Sequence, residues 1–158
     1  MEDLADLKHM QAAIDLALHS VTVGGGPFGA VVVKDGEVIG QGHNRVTLDN
    51  DPTAHAEMVA IRAACARLGS FRLDGCTLYT SCTPCPMCLG AADWAHVSAL
   101  VHAATSDDAA KAGFDDAFIF DELALPPTER ALPLRQLSRD AALAAFAAWH
   151  AKQDKTQY

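Results

Sequence analysis

Apolar residues return at three- and four-residue steps along the opening stretch: Leu4, Leu7, Met10, Ile14, Leu18 and Val21. That is the period of an amphipathic helix with one face turned inward. The run GGGPFG, residues 24–29, breaks the pattern. Ala30–Val33 and Val38–Val46 then read as two strands around Lys34-Asp35-Gly36, a hairpin turn signal. A helix is expected from Pro52 to Leu68, with Asp51 placed as its cap, Pro52 suited to its first position and Gly69 to its exit. Cys76–Ser81 and Ser98–Ala104 predict a third and a fourth strand, separated by a helix from Pro86 to Ala95. A fifth strand is expected at Leu132–Leu137, and Ser138 is placed to cap a final Ala-rich helix ending near Lys152.

Strand, helix, strand predicts a parallel pair with a right-handed crossover. A hairpin followed by such units predicts an α/β fold, a mixed sheet with helices on both faces. No repeat, low-complexity linker or composition break interrupts the 158 residues, so one domain is expected. Half of the residues are hydrophobic, enough to bury a core. The formal net charge is 12 − 20 = −8, and an acidic surface repels phosphate backbones, which weighs against a nucleic-acid partner. A small, nearly neutral ligand suits this balance better. No apolar run is long enough to span a membrane. The start, MEDLADLKHM, lacks the basic flank and apolar stretch of a signal peptide. A cytoplasmic protein with reduced thiols is therefore expected, and its five cysteines cannot all pair.

Three of those cysteines, Cys82, Cys85 and Cys88, stand three apart in SCTPCPMCLG. A cubane cluster would want a fourth thiolate just beyond them, and none follows. Cys85 and Cys88 share one face of the predicted helix, and Pro84 and Pro86 confine its start to that neighbourhood. A second helix start carries His55-Ala56-Glu57. Residues two apart on a helix lie about 200° apart around its axis, yet near the N-terminus both can lean toward a point beyond the end. Two helix N-termini aimed at one spot would favour thiolate over thiol. One imidazole and two thiolates, from His55, Cys85 and Cys88, make a three-ligand zinc site with a corner open to water. Glu57 would then take the water's proton and return it later. His-x-Glu followed by Pro-Cys-x-x-Cys is the zinc deaminase signature. The alternative is a structural zinc with Cys82 as fourth ligand, although Cys82 reads more simply as a packed strand-end thiol. Cys65 and Cys76 read as core residues, and the other six histidines lack ligand spacing.

With these residues in hand, the chain resembles the cytidine deaminase superfamily, and within it the bacterial guanine deaminase branch. The similarity runs through PFGAVVVKDG, NDPTAHAE, LYTSC, PCPMCLGA, AGFDDAFI and the terminal Tyr158. Thr83 departs from it, since many relatives carry Glu there. The resemblance implies a three-layer α/β/α sandwich with a mixed five-stranded sheet, one Zn2+ per chain, and hydrolysis of guanine to xanthine and ammonia. It implies His55, Cys85 and Cys88 as ligands, Glu57 as proton shuttle, and Asp116 near the departing amino group, with Asp115 solvated. It matches Asn44 to a base-contacting Asn and puts substrate contacts at Phe28, Ala56, Trp94, Asp116 and Tyr158. Core packing is the other reading of Phe28 and Trp94. It also implies a homodimer in which the C-terminal segment is swapped and Tyr158 closes the partner's site. Guanosine, cytosine, ammeline and tRNA adenosine are the alternative substrates, and a zinc-stabilised binding module is the reading outside enzymes.

Overall fold

The computed structural model describes residues 4–158. The periodic opening stretch is one long helix, α1 (Leu4–Thr22). It leads through the glycine-rich loop into a hairpin of β1 (Gly29–Lys34) and β2 (Glu37–His43). Lys34 pairs with Glu37, leaving Asp35 and Gly36 as the turn, both at positive φ (50° and 78°). Two left-handed residues give the twist that joins antiparallel strands tightly. Next come a single turn α2 (Val46–Asp49), then α3 (Ala56–Leu68), β3 (Cys76–Cys82), α4 (Pro86–Trp94) and β4 (Ala99–Ala104). The strand order is β2-β1-β3-β4. The first two pairings are antiparallel and β3–β4 is parallel, as expected for strands joined through a helix.

Alternation along the strands sorts their side chains onto two faces. Val31, Val33 and Tyr79 turn to one side and pack with Ala13 of α1. Ala30, Val32 and Leu78 turn to the other and pack with Ala56, Ala60, Ala64 and Ala92 of α3 and α4. Helices therefore cover both faces, in the α/β/α order expected. The α3 layer is unusually close to the sheet: a Cβ on Gly42 would lie 2.5 Å from the carbonyl oxygen of Ala56. Glycine in β2 and alanine in α3 thus set the depth at which α3 begins.

Four expectations need correction. Among the described residues the sheet has four strands, not five. Leu132–Leu137 is irregular, with Leu132, Leu134 and Leu137 exposed, and Pro133 offers no N–H to a ladder. β2 stops at His43 rather than Val46, because the Asn44 side chain accepts the Val46 N–H (3.2 Å) and turns the chain. α3 starts at Ala56 rather than Pro52. Asp51 does not cap it; its carboxylate accepts from the Thr53 N–H (2.8 Å) and hydroxyl (2.7 Å) in a local turn. Ser138 does precede the last helix, α7 (Arg139–Ala151), but in a left-handed conformation with no side-chain cap. Three helices escaped the pattern: the single turn α2, α5 (Ser106–Lys111), opened by a Thr105–Asp108 capping box, and α6 (Ala117–Ala124).

The chain divides into two compact units, the first ending at Ala117 and the second running Phe118–Tyr158. The second unit is held internally by Arg130, which donates to the carbonyls of Leu123 (3.3 Å) and Leu125 (3.1 Å), and by Glu122, which accepts the Ala131 N–H. Among its described residues none is buried.

Candidate active site

α3 and α4 begin with a chemistry-bearing residue at the cap. His55 is the N-cap of α3 (φ −67°, ψ 156°) and Cys85 the N-cap of α4 (φ −68°, ψ 168°). Both are extended, so neither side chain follows the helical wheel. This releases His55 from the opposition to Glu57 that mid-helix spacing would impose. Cys88 then lies one turn into α4 and is fully buried. The His55 Nδ1 stands 3.4 Å from Cys85 Sγ and 3.5 Å from Cys88 Sγ. Donor atoms held tetrahedrally by zinc, at ordinary Zn–N and Zn–S lengths, are separated by about 3.6 Å. The three donors lie within 4.8 Å of one another and form the one such group found among the described residues.

The two thiols are unlike. Hydrogen bonding from Cys88, assisted by His55, draws Cys85 down to about 4. The same bond, with burial and the neighbouring Glu57, pushes Cys88 upward. Contact with Cys85 also raises the His55 imidazole.

Glu57 lies in the first turn of α3, 6% exposed. Thr80 on β3 donates to its Oε1 at 3.1 Å, and the Cys88 thiol donates to Oε2 at 3.5 Å. Burial raises its pKa, so the carboxyl is readier than a surface glutamate to hold a proton. Thr80 was missed in the sequence. The available signal was its alternation with Leu78, which puts both on the α3 side of the sheet.

Cys82 ends β3 as a buried thiol, donates to the Thr105 carbonyl (3.4 Å) and is not among the three grouped donors. Cys76 lies in the core and Cys65 packs against it. Asn44 is buried beside the glycine-rich loop, and Ala56 is fully buried at the start of α3. Phe28 meets Phe114 edge to face, centroids 5.0 Å apart, which brings the AGFDD segment against the loop before β1. Asp115 is exposed and accepts the Ala117 N–H at 2.9 Å, capping α6. Asp116 is half-buried; desolvation raises its pKa, and the charges of Cys85 and His55 act on it. Trp94 lies at the far end of α4, six residues or about 9 Å of helix beyond Cys88, and is 66% exposed. Tyr158 belongs to the second unit and is exposed.

Residues 4–104 match the zinc-binding region of cytidine and deoxycytidylate deaminases. The chain belongs to this deaminase family. Its cofactor is zinc, and one imidazole with two thiolates is a donor set that fits that ion. The chain is 53% identical over 150 residues to the guanine deaminase of Bacillus subtilis, covering 94% of this chain and 96% of that one. It superposes on the X-ray structure of guanine deaminase from Bacillus subtilis with a TM-score of 0.93, at 52% identity over 96% of this chain and 97% of that one. The tRNA-specific adenosine deaminase of Aquifex aeolicus is 47% identical, but over 79 residues, half of this chain and 52% of that protein.

Proposed function

We propose that this chain hydrolyses guanine to xanthine and ammonia. The observation that carries the substrate is the reach of the likeness: the guanine deaminase match extends over 94% of the chain, while the tRNA-specific adenosine deaminase matches span 50% to 63% of it. Zinc-site chemistry is common to both, so the additional matched length is what bears on the base. A net charge of −8 also makes docking to tRNA unfavourable.

In this reading His55, Cys85 and Cys88 hold the zinc. Bound there, zinc supplies a strongly acidified water as nucleophile at neutral pH. Glu57 would hold the proton given up when water adds to the ring carbon C2, which bears the amino group. The Thr80 hydroxyl fixes Oε1 and steadies the carboxyl through the transfer. Glu57 then gives the proton to the amino nitrogen, and the C–N bond breaks to release ammonia. The other water hydrogen stays on the new C2 oxygen, so guanine plus water balances xanthine plus ammonia. Asp116 assists at the nitrogen, and Asn44 and Phe28 hold the base. Ala56 stands in the wall beside Glu57, and Trp94 takes no part within one chain.

The 158 residues act as one deaminase domain of a cytoplasmic homodimer, with the C-terminal segment exchanged between copies and Tyr158 closing the partner's site. The absence of any buried residue among the described residues 118–158 supports an exchanged segment, since a unit lacking its own core needs a surface to cover. No described helix is long and apolar enough to cross a membrane.

The experiment is an ammonia-release screen of the zinc-loaded protein over guanine, guanosine, adenine, cytosine and ammeline, with a tRNA carrying a target adenosine as a further arm. Guanine should dominate. Ammonia from another member of the set and none from guanine overturns the reading; ammonia from none of them leaves a zinc-binding module.

A further inference from the structure

We propose that Ser20 is a positioning residue for base recognition, holding the Asn44 main chain where the Gly26 and Val46 amides turn its side chain so that it can only donate. The inference rests on the reading above that Asn44 meets the base.

Every other hydrogen-bonding group of Asn44 is occupied. Its N–H donates to the Phe28 carbonyl at 3.0 Å. Its carbonyl accepts from the Ser20 hydroxyl at 3.1 Å and from His43 Nδ1 at 3.0 Å. A carbonyl can only accept, so His43 carries its hydrogen on Nδ1. That ring nitrogen also lies 3.3 Å from Ser20 Oγ. The side-chain Oδ1 accepts the N–H of Gly26 at 3.4 Å and of Val46 at 3.2 Å. Two backbone donors fix which way the amide faces. What remains is the Nδ2 amino group, which bonds to no protein atom among the described residues.

Ser20 is the anchor of this arrangement. It is fully buried near the end of α1, and its own carbonyl accepts the Gly25 N–H at 2.8 Å, tying the glycine-rich loop to the helix. The closeness leaves no room for a side chain. A Cβ on Gly25 would lie 2.3 Å from the Asn44 carbonyl oxygen and 2.5 Å from Ser20 Oγ. Asn44 thus presents two hydrogens to the site, and the base must meet them with an acceptor, a ring nitrogen or a carbonyl oxygen. An amino group at that place would be turned away.

The test is a double-mutant cycle on guanine turnover by the zinc-loaded protein. Ser20→Ala leaves the Asn44 carbonyl bonded to His43, so no buried acceptor is orphaned and the fold should hold. It should raise KM about tenfold with a much smaller change in kcat and an unchanged zinc content. In an Asn44→Ala background the same change should do nothing further to KM. Gly25→Ala, which displaces the same contact, should follow the same rule. Asn44→Asp keeps the acceptor and loses the donor, and should fall to the level of Asn44→Ala or below. Equal effects of Ser20→Ala in both backgrounds, or near wild-type turnover by Asn44→Asp, overturn the proposal while leaving guanine deamination intact. A wild-type protein that releases no ammonia from guanine overturns both.

Discussion

Glu57 shows how one buried carboxyl is prepared by its neighbours. Sequence spacing placed it beside His55, and the two helix starts explain how both reach the same point. Replacing it with Gln keeps the shape and removes the proton carrier. Glu57→Gln should retain zinc by metal analysis and lose about 10²- to 10⁴-fold in kcat. The raised pKa has a second consequence in the metal-free protein. Between the unfolded and folded pKa values the native state binds more protons than the unfolded chain, so stability falls as pH rises through that window. The metal-free Glu57→Gln protein should therefore melt above wild type at neutral pH, with the gap closing below the ordinary carboxylate range. Thermal melts across pH read this directly, and a constant gap would contradict the desolvation account. The ligands and Glu57 were legible because their residue types and spacing are chemically unusual. Thr80 was not, because a threonine in a strand looks the same whether its hydroxyl faces a carboxylate or solvent. The Asn44 Oδ1 accepts from two backbone amides, a constraint that no sequence pattern signals.

Elements were read well where burial sets a period and poorly where side chains redirect the backbone. α1, the hairpin, α4 and the parallel pair followed from spacing and turn residues. The ends of β2 and the start of α3 did not, because Asn44 and Asp51 bond to main-chain groups two residues on. Such turns compete with strand and helix without altering the hydrophobic pattern. Leu132–Leu137 had the apolar residues of a strand but carries Pro133. The contact between β2 and α3 carries its own prediction. Gly42→Ala would drive a methyl group to 2.5 Å from the Ala56 carbonyl, a backbone atom that cannot swing aside. The shift falls on the residue between His55 and Glu57. This variant should lose about 1–3 kcal/mol of stability and bind zinc more weakly, measured by denaturant titration and by competition with a chelator. Unchanged zinc affinity in a destabilised protein would mean that the depth of α3 does not govern the site.

At the scale of the molecule, zinc and the C-terminal segment are the two features that single side chains do not explain. Removing zinc with a chelator should lower the melting temperature, because the metal binds the folded arrangement and not the unfolded chain. Contact with Cys85, burial and the neighbouring Glu57 push the Cys88 thiol up, and a thiol must lose its proton to bind zinc, so loading releases a proton. Apparent zinc affinity should fall as pH is lowered, with proton release visible in a weakly buffered titration; binding without proton release would contradict the unequal thiols. The segment after Ala117 is tested by assembly. If the proposed exchange holds, deleting Tyr158 should cut kcat/KM for guanine about tenfold or more while leaving the sedimentation of the protein unchanged. An unchanged rate would remove Tyr158 from the site. The sequence pattern did not reveal that this unit lacks buried residues, since its Leu, Phe and Ala content matches that of an ordinary core.

The donors that meet at the two helix caps lie thirty residues apart in the chain, with β3 threaded between them. A polypeptide still emerging from the ribosome with only the earlier helix formed owns a solitary imidazole and cannot capture an ion. All three donors are present only once Cys88 has been added, three residues after Cys85. The complete donor set therefore exists only in a chain whose β3 and first turn of α4 have followed α3 into place.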